Sequence, residues 1–244
     1  MSNKQHPMLA RIRALLTKAE ATEFAEEAEQ LTAKASELMA KYGIEQTMLS
    51  AAKPKQERPT SRLIEITGTY AKDRQQLLSY IGTALGAQTV YTRVRSTTTG
   101  HPVLAVDLFG YESDLERIEL LFNSLVLQAF NGMKRVRPLY GESTTSYRKT
   151  WLAGFSVAIY NRLKSAEETA KADYEETSGT SVALVLADRK SLVIAERDKK
   201  YLKLGKTPKR KLSGSGWGAG NAAGKRADIG GPRLDSGRRP ALAG

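Results

Sequence analysis

Apolar residues along the first 49 positions recur at helical spacing. Pro7 suits a first helical position, and Met8, Ile12, Leu15, Leu16 and Ala19 follow on one stripe with Arg11, Arg13 and Lys18 between them. Thr22 suits the start of a second helix, whose first turns carry Glu23, Glu26 and Glu27 beside the positive end of the dipole. Phe24, Ala28, Leu31, Ala35, Leu38, Met39 and Tyr42 form its stripe, and Gly43 is read as its stop. About three residues join the two helices, so the pattern predicts an antiparallel helical hairpin over residues 1–50. A linker over 51–61 follows, with Pro54 and Pro59.

From Arg62 the period changes. Leu63, Ile64 and Ile66 read as a strand, and Asp73 to Leu85 as a helix using Leu77, Leu78, Ile81 and Leu85. Gln88–Arg95 and Val103–Phe109 are β-rich runs around a Thr-Gly turn, which predicts an antiparallel hairpin. Ser113 and Glu116 have capping-box spacing ahead of a long helix carrying Leu120, Leu121, Leu125, Leu127 and Phe130. A second long helix runs from about Ser146 to Thr177, with Trp151 and Phe155 at core spacing. Val182–Leu186 reads as a buried strand, with Asp188 capping a last helix toward Tyr201. The expected class is α+β, compatible with a ferredoxin-like βαββαβ sheet in a domain spanning 62–204.

Charge changes the picture at the C-terminus. The 244 residues carry a formal charge of +12. Residues 1–196 hold 25 Lys/Arg against 23 Asp/Glu, whereas residues 197–244 hold 13 against three. Ten of the 20 glycines lie between Gly205 and Gly244, so residues 205–244 read as a basic, Gly-rich tail. A balanced body with a concentrated basic end is the electrostatic footprint of a nucleic-acid-binding protein. The candidate contacts are Lys199, Lys200, Lys203, Lys206, Lys209, Arg210, Lys211, Lys225 and Arg226, with Arg93, Arg95, Arg148 and Lys149 on the body. Trp217 and Tyr201 are placed to stack on bases. A second reading of Gly216, Gly220, Gly224 and Ala227 is a short helix laying its small face closely on the body.

Other chemistry has little to work with. The chain has no cysteine, hence no disulfide, thiolate site or Cys nucleophile. Its two histidines, His6 and His101, exclude a His-Glu-x-x-His zinc motif. Gly205-Lys206-Thr207 is not a Walker A loop, because position 200 is Lys. Asp107, Glu112, Asp114, Glu116 and Glu119 form an acidic cluster, in which Asp107 and Glu112 could converge on a magnesium ion in a nuclease or other hydrolase. The polar opening is unlike a secretory signal, and no apolar run reaches membrane-spanning length. No cofactor is expected.

Three segments carry a resemblance. Ile12-Arg13-Ala14-Leu15-Leu16 with Glu37-Leu38-Met39-Ala40-Lys41-Tyr42-Gly43-Ile44 resembles the hairpin of a family of uncharacterised bacteriophage and prophage proteins, many from actinobacterial hosts. Phe109–Asp114 and Tyr147–Phe155 are similar to signatures of the domain that follows that hairpin, and Gly220–Asp228 to its small, basic closing segment. The resemblance implies a phage or prophage origin and a bacterial cytoplasm, and it carries over no catalytic residue. The expected function is non-enzymatic nucleic-acid binding through the basic C-terminal segment. The alternatives are a protein partner engaged by the N-terminal hairpin, or the metal-dependent hydrolase.

Overall fold

Strand residues alternate between two environments, and register decides which helices each meets. A computed structural model describes residues 8, 11–12, 14–15, 17–18, 31, 34–35, 38–44, 47–48, 57–134, 138, 140–179, 181–205, 207, 210–227 and 229. The described residues between 8 and 48 are helical. Beyond them come β1 (Thr60–Ile66), α1 (Ala71–Ala84), β2 (Gln88–Arg95) and β3 (Pro102–Gly110). They are followed by α2 (Glu112–Lys134), α3 (Thr144–Ser178), α4 (Ala183–Lys200) and α5 (Trp217–Arg226). The class is α+β.

The sheet has the order β1-β3-β2, and β3 is antiparallel to both neighbours. Strands β1 and β2 therefore run parallel with β3 between them, joined by α1 as a split βαβ unit. Ile64 pairs with Val106 and Ile66 with Leu104, so these residues share a face with Leu108. That face packs into the main core with Leu77, Leu78 and Ile81 of α1 and with the inner stripes of α2 and α3. Val90 and Phe109 point the other way and form a second cluster with Tyr111, Val193 of α4 and Tyr201. Ile12, Ala35, Met39 and Tyr42 are buried in the main core, so the N-terminal helical residues are packed onto the body.

Several expectations are corrected. Residues 182–186 supply no fourth strand: Val182 precedes α4, and Ala183–Leu186 are its first turn. A short apolar run does not distinguish strand from helix. The spacing of Val182, Arg189 and Val193, all buried, is helical, while Leu184 is 78% exposed. The βαββαβ arrangement is thus not completed among the described residues, and Asp188 lies inside α4 rather than capping it. Ser113 is no cap either, since α2 already begins at Glu112 and the buried Ser113 hydroxyl has no hydrogen-bond partner. Gly43 does not stop its helix, because residues 38–44 are continuously helical. The proposed cap Thr22 and the hairpin residue Leu16 lie outside the described residues.

The glycines beyond 205 have a structural use. Helix α5 runs along α3, and a Cβ on Gly216, Gly220 or Gly224 would strike the backbone of Tyr147, Trp151 or Phe155 respectively. Gly154 of α3 makes the reciprocal approach to the Trp217 carbonyl. Arg162 donates to the carbonyls of Gly224 and Ala227, satisfying acceptors that a helix end leaves without partners. Of the two readings of this segment, the close-packed helix is the one observed. Trp151 and Phe155 are core residues as expected, stacked at 5.3 Å with 12° between their rings. Among the described residues no helix is long and apolar enough to cross a membrane.

Candidate functional site

The basic segment is tied to the body at both ends, to the sheet at Tyr201 and to α1 at Arg210. Tyr201 leaves α4 with its ring edge-on to Phe109 and its hydroxyl donating to Asp107 Oδ2 at 2.9 Å. Lys200 Nζ lies 2.7 Å from the same oxygen, and Asp107 is wholly buried. Burial, reinforced by the bond to Asp107, pushes the Tyr201 phenol up to about 12. Further along, Arg210 Nη2 donates to the buried carboxylate of Asp73 on α1 at 2.6 Å. Tyr201 lies beside Thr92 of β2, whereas Arg210 reaches Gln76 and Asp73 of α1, which packs on the opposite face of the sheet. The chain thus passes from one face of the sheet to the other beside β2, which is an edge strand.

Beyond Arg210 the segment reaches the start of α3. Gly214 abuts the Ser146 carbonyl, Ser215 N donates to Glu142 Oε1 at 2.7 Å, and Gly216 N donates to Thr150 Oγ1 at 3.1 Å. Exposed cations mark this course. Arg93 and Arg95 stand on β2, Lys203 is two residues beyond Tyr201, Lys211 follows Arg210, and Lys149 lies in the first turns of α3.

The other predicted contacts divide. Lys199 pairs with Glu196 at 2.7 Å, and Lys200 is committed to Asp107. Arg148 is half-buried, with no hydrogen-bond partner at Nε. Trp217, 50% exposed, opens α5 near the start of α3, whereas exposed Lys225 and Arg226 close it. At 1.5 Å per residue they lie roughly 12–14 Å further along the helix. Lys206 and Lys209 lie outside the described residues.

The acidic cluster is taken apart by register. Leu63 pairs with Asp107 and Arg62 with Leu108, so Asp107 faces α4 while Arg62 faces α2. There Arg62 pairs with Glu112, and with Glu119 at 2.8 Å. Asp107 and Glu112 lie on opposite faces and do not converge. No group of three or more ligating side chains among the described residues could hold a metal ion.

A different constellation went unnoticed in the sequence. Arg117, on the buried side of α2, pairs with Glu167 of α3 and lies 3.5 Å from Asp114. Asp114 in turn accepts from Arg189 of α4 at 3.2 Å, and Arg189 sits 3.4 Å from the centre of the Tyr111 ring. Burial raises the carboxyls of both Asp114 and Glu167, against the opposing pull of Arg117. This chain of charges borders a cavity of about 350 Å³ between the N-terminal helical residues, the α1–β2 loop and α4. The available signal was Arg117 itself, a cation between the core positions Leu115 and Ile118.

Residues 8–46 match a family described as Protein of unknown function (DUF2786). No curated protein and no solved structure matches the chain. The matched span includes Gly43 and Ile44, which form part of the cavity wall.

Proposed function

We propose that the protein is a non-enzymatic nucleic-acid-binding protein of phage type, acting in a bacterial cytoplasm. The supporting observation is the course of the basic segment past the edge strand, with exposed Lys203 and Lys211 on the segment, exposed Arg93 and Arg95 on β2 and exposed Lys149 in the first turns of α3. Exposed Lys and Arg suit phosphates, whose neutralisation releases counterions. Tyr91, the exposed aromatic on this edge, is placed to stack on an unpaired base. Lys200 and Arg210 serve differently, pinning the segment through Asp107 and Asp73. The phage assignment rests on the sequence resemblance alone.

A protein partner engaged by the N-terminal hairpin has less support, because Ile12, Ala35, Met39 and Tyr42 of its apolar stripes are already buried in the core. The test is the salt dependence of binding to a fluorescent oligonucleotide. Five engaged cations give a log-log slope of about −4.5 on duplex DNA, or about −3.5 on a single strand. Binding that is absent at low salt, or insensitive to salt, overturns the reading.

A further inference from the structure

The cavity beside Arg117 is chemically distinct from the basic edge. Its apolar wall comes from Ile44, Leu85, Ala87, Leu186 and Val193. Its charged lining is Arg117, Arg189 and Lys190 against Asp114 and Glu167, and Glu57, paired with Arg189, brings the charges into balance. Both arginines are buried, Arg117 to 2% exposure. Each retains a buried nitrogen without a hydrogen-bond partner, Nε of Arg117 and Nη1 of Arg189. The nearest carboxylate to the latter, Glu57, lies at 3.6 Å, beyond hydrogen-bond length. Buried guanidinium N–H groups are ordinarily satisfied, and these two belong to residues that line the same space, so they can take an acceptor from outside the chain.

We propose that this cavity binds a small organic monocarboxylate, its carboxylate taken by Arg117 and Arg189 and its apolar body by the wall of Ile44, Leu85, Leu186 and Val193. Guanidinium nitrogens are geometrically suited to a carboxylate. The volume falls in the range of small-molecule sites and is far larger than an inorganic anion needs. Gly86 also borders the space, and a Cβ there would meet nothing within 4 Å. The site is independent of nucleic-acid binding, since none of the cations of the basic edge lines it.

The test uses the full chain labelled with ¹⁵N and three probes, octanoate, benzoate and 4-phenylbutyrate, each beside its uncharged amide. At least one acid is expected to shift the Arg117 Nε–Hε resonance saturably, with at least tenfold weaker binding by its amide. Leu186→Trp, which fills the cavity from its wall and keeps both arginines, is expected to weaken the acid at least tenfold. Arg189→Gln is expected to do the same while the rest of the spectrum stays dispersed. Equal binding of acid and amide, acid binding untouched by Leu186→Trp, or no saturable shift with any of the three acids overturns the proposal.

Discussion

The guanidinium of Arg117 occupies the space that a side chain on Gly43 would fill. The N-terminal helix and α2 thus meet through a glycine and a buried cation that is itself held by Glu167 and Asp114. In an exposed helix, Gly→Ala gains up to about 1 kcal/mol. At Gly43 the added methyl must displace a paired guanidinium, and Gly43→Ala is expected to cost about 1–3 kcal/mol. Urea unfolding measures it, and a gain in stability would show that the two helices do not meet there.

Two glycines of α5 make a sharper pair. A Cβ on Gly218 meets nothing, whereas one on Gly220 strikes the backbone of Trp151. Gly218→Ala is expected to stabilise by about 0.5–1 kcal/mol, and Gly220→Ala to destabilise by about 1–3 kcal/mol. Thermal melts of both variants read the two signs. If both substitutions stabilise, α5 is not docked on α3.

Much of this architecture was legible in the chain, and the omissions share a cause. Alternation gave β1 to β3, and helical periodicity gave α1 to α3, because each buries one face. Val182–Leu186 misled because a short uniformly apolar run has no period to read. The link between Arg117, Glu167, Arg189 and Gly43 is tertiary: the residues are up to 146 positions apart and local pattern carries no trace of their meeting. The candidate basic site was legible as a composition. The division between Lys203, which is exposed, and Lys200, which clamps Asp107, depends on packing that charge counting does not see.

Alkaline pH tests the buried phenols. Tyr42 is pushed up to about 12 by burial and then by Glu116, and Tyr201 to about 12 by burial and then by Asp107. In the unfolded chain both ionise near their ordinary value of about 10. Between those values the folded state holds more protons. Their stabilising contribution is therefore full below pH 10 and is lost as pH rises through about 12. Denaturant titrations from pH 9 to 12 are expected to show this fall, with a shallower decline in Tyr42→Phe. A flat profile, with every tyrosine ionising near 10 by ultraviolet absorbance, would contradict the packing described.

Lys200 and Lys203 separate stability from binding. Removing Lys200 leaves the wholly buried Asp107 with Tyr201 as its remaining described partner. Because the Lys200 side chain is half exposed, solvent screening discounts the loss, and Lys200→Ala is expected to cost about 1–2 kcal/mol. Lys203→Ala and Lys211→Ala, at exposed positions, should stay within about 0.5 kcal/mol of the parent. Urea unfolding of the three variants checks the ranking.

The central claim is that the exposed cations along the β2 edge engage phosphates, and one comparison addresses it directly. Parent protein and the variant with Arg93, Arg95, Lys203 and Lys211 all changed to Ala are titrated with the same fluorescent DNA duplex across a range of salt, after their melting temperatures are shown to agree. The account predicts weaker binding to unrelated sequences alike, because phosphate contacts carry no sequence information, and a log-log slope smaller in magnitude by about 3.6. Equal affinity and equal slope in the two proteins would contradict it.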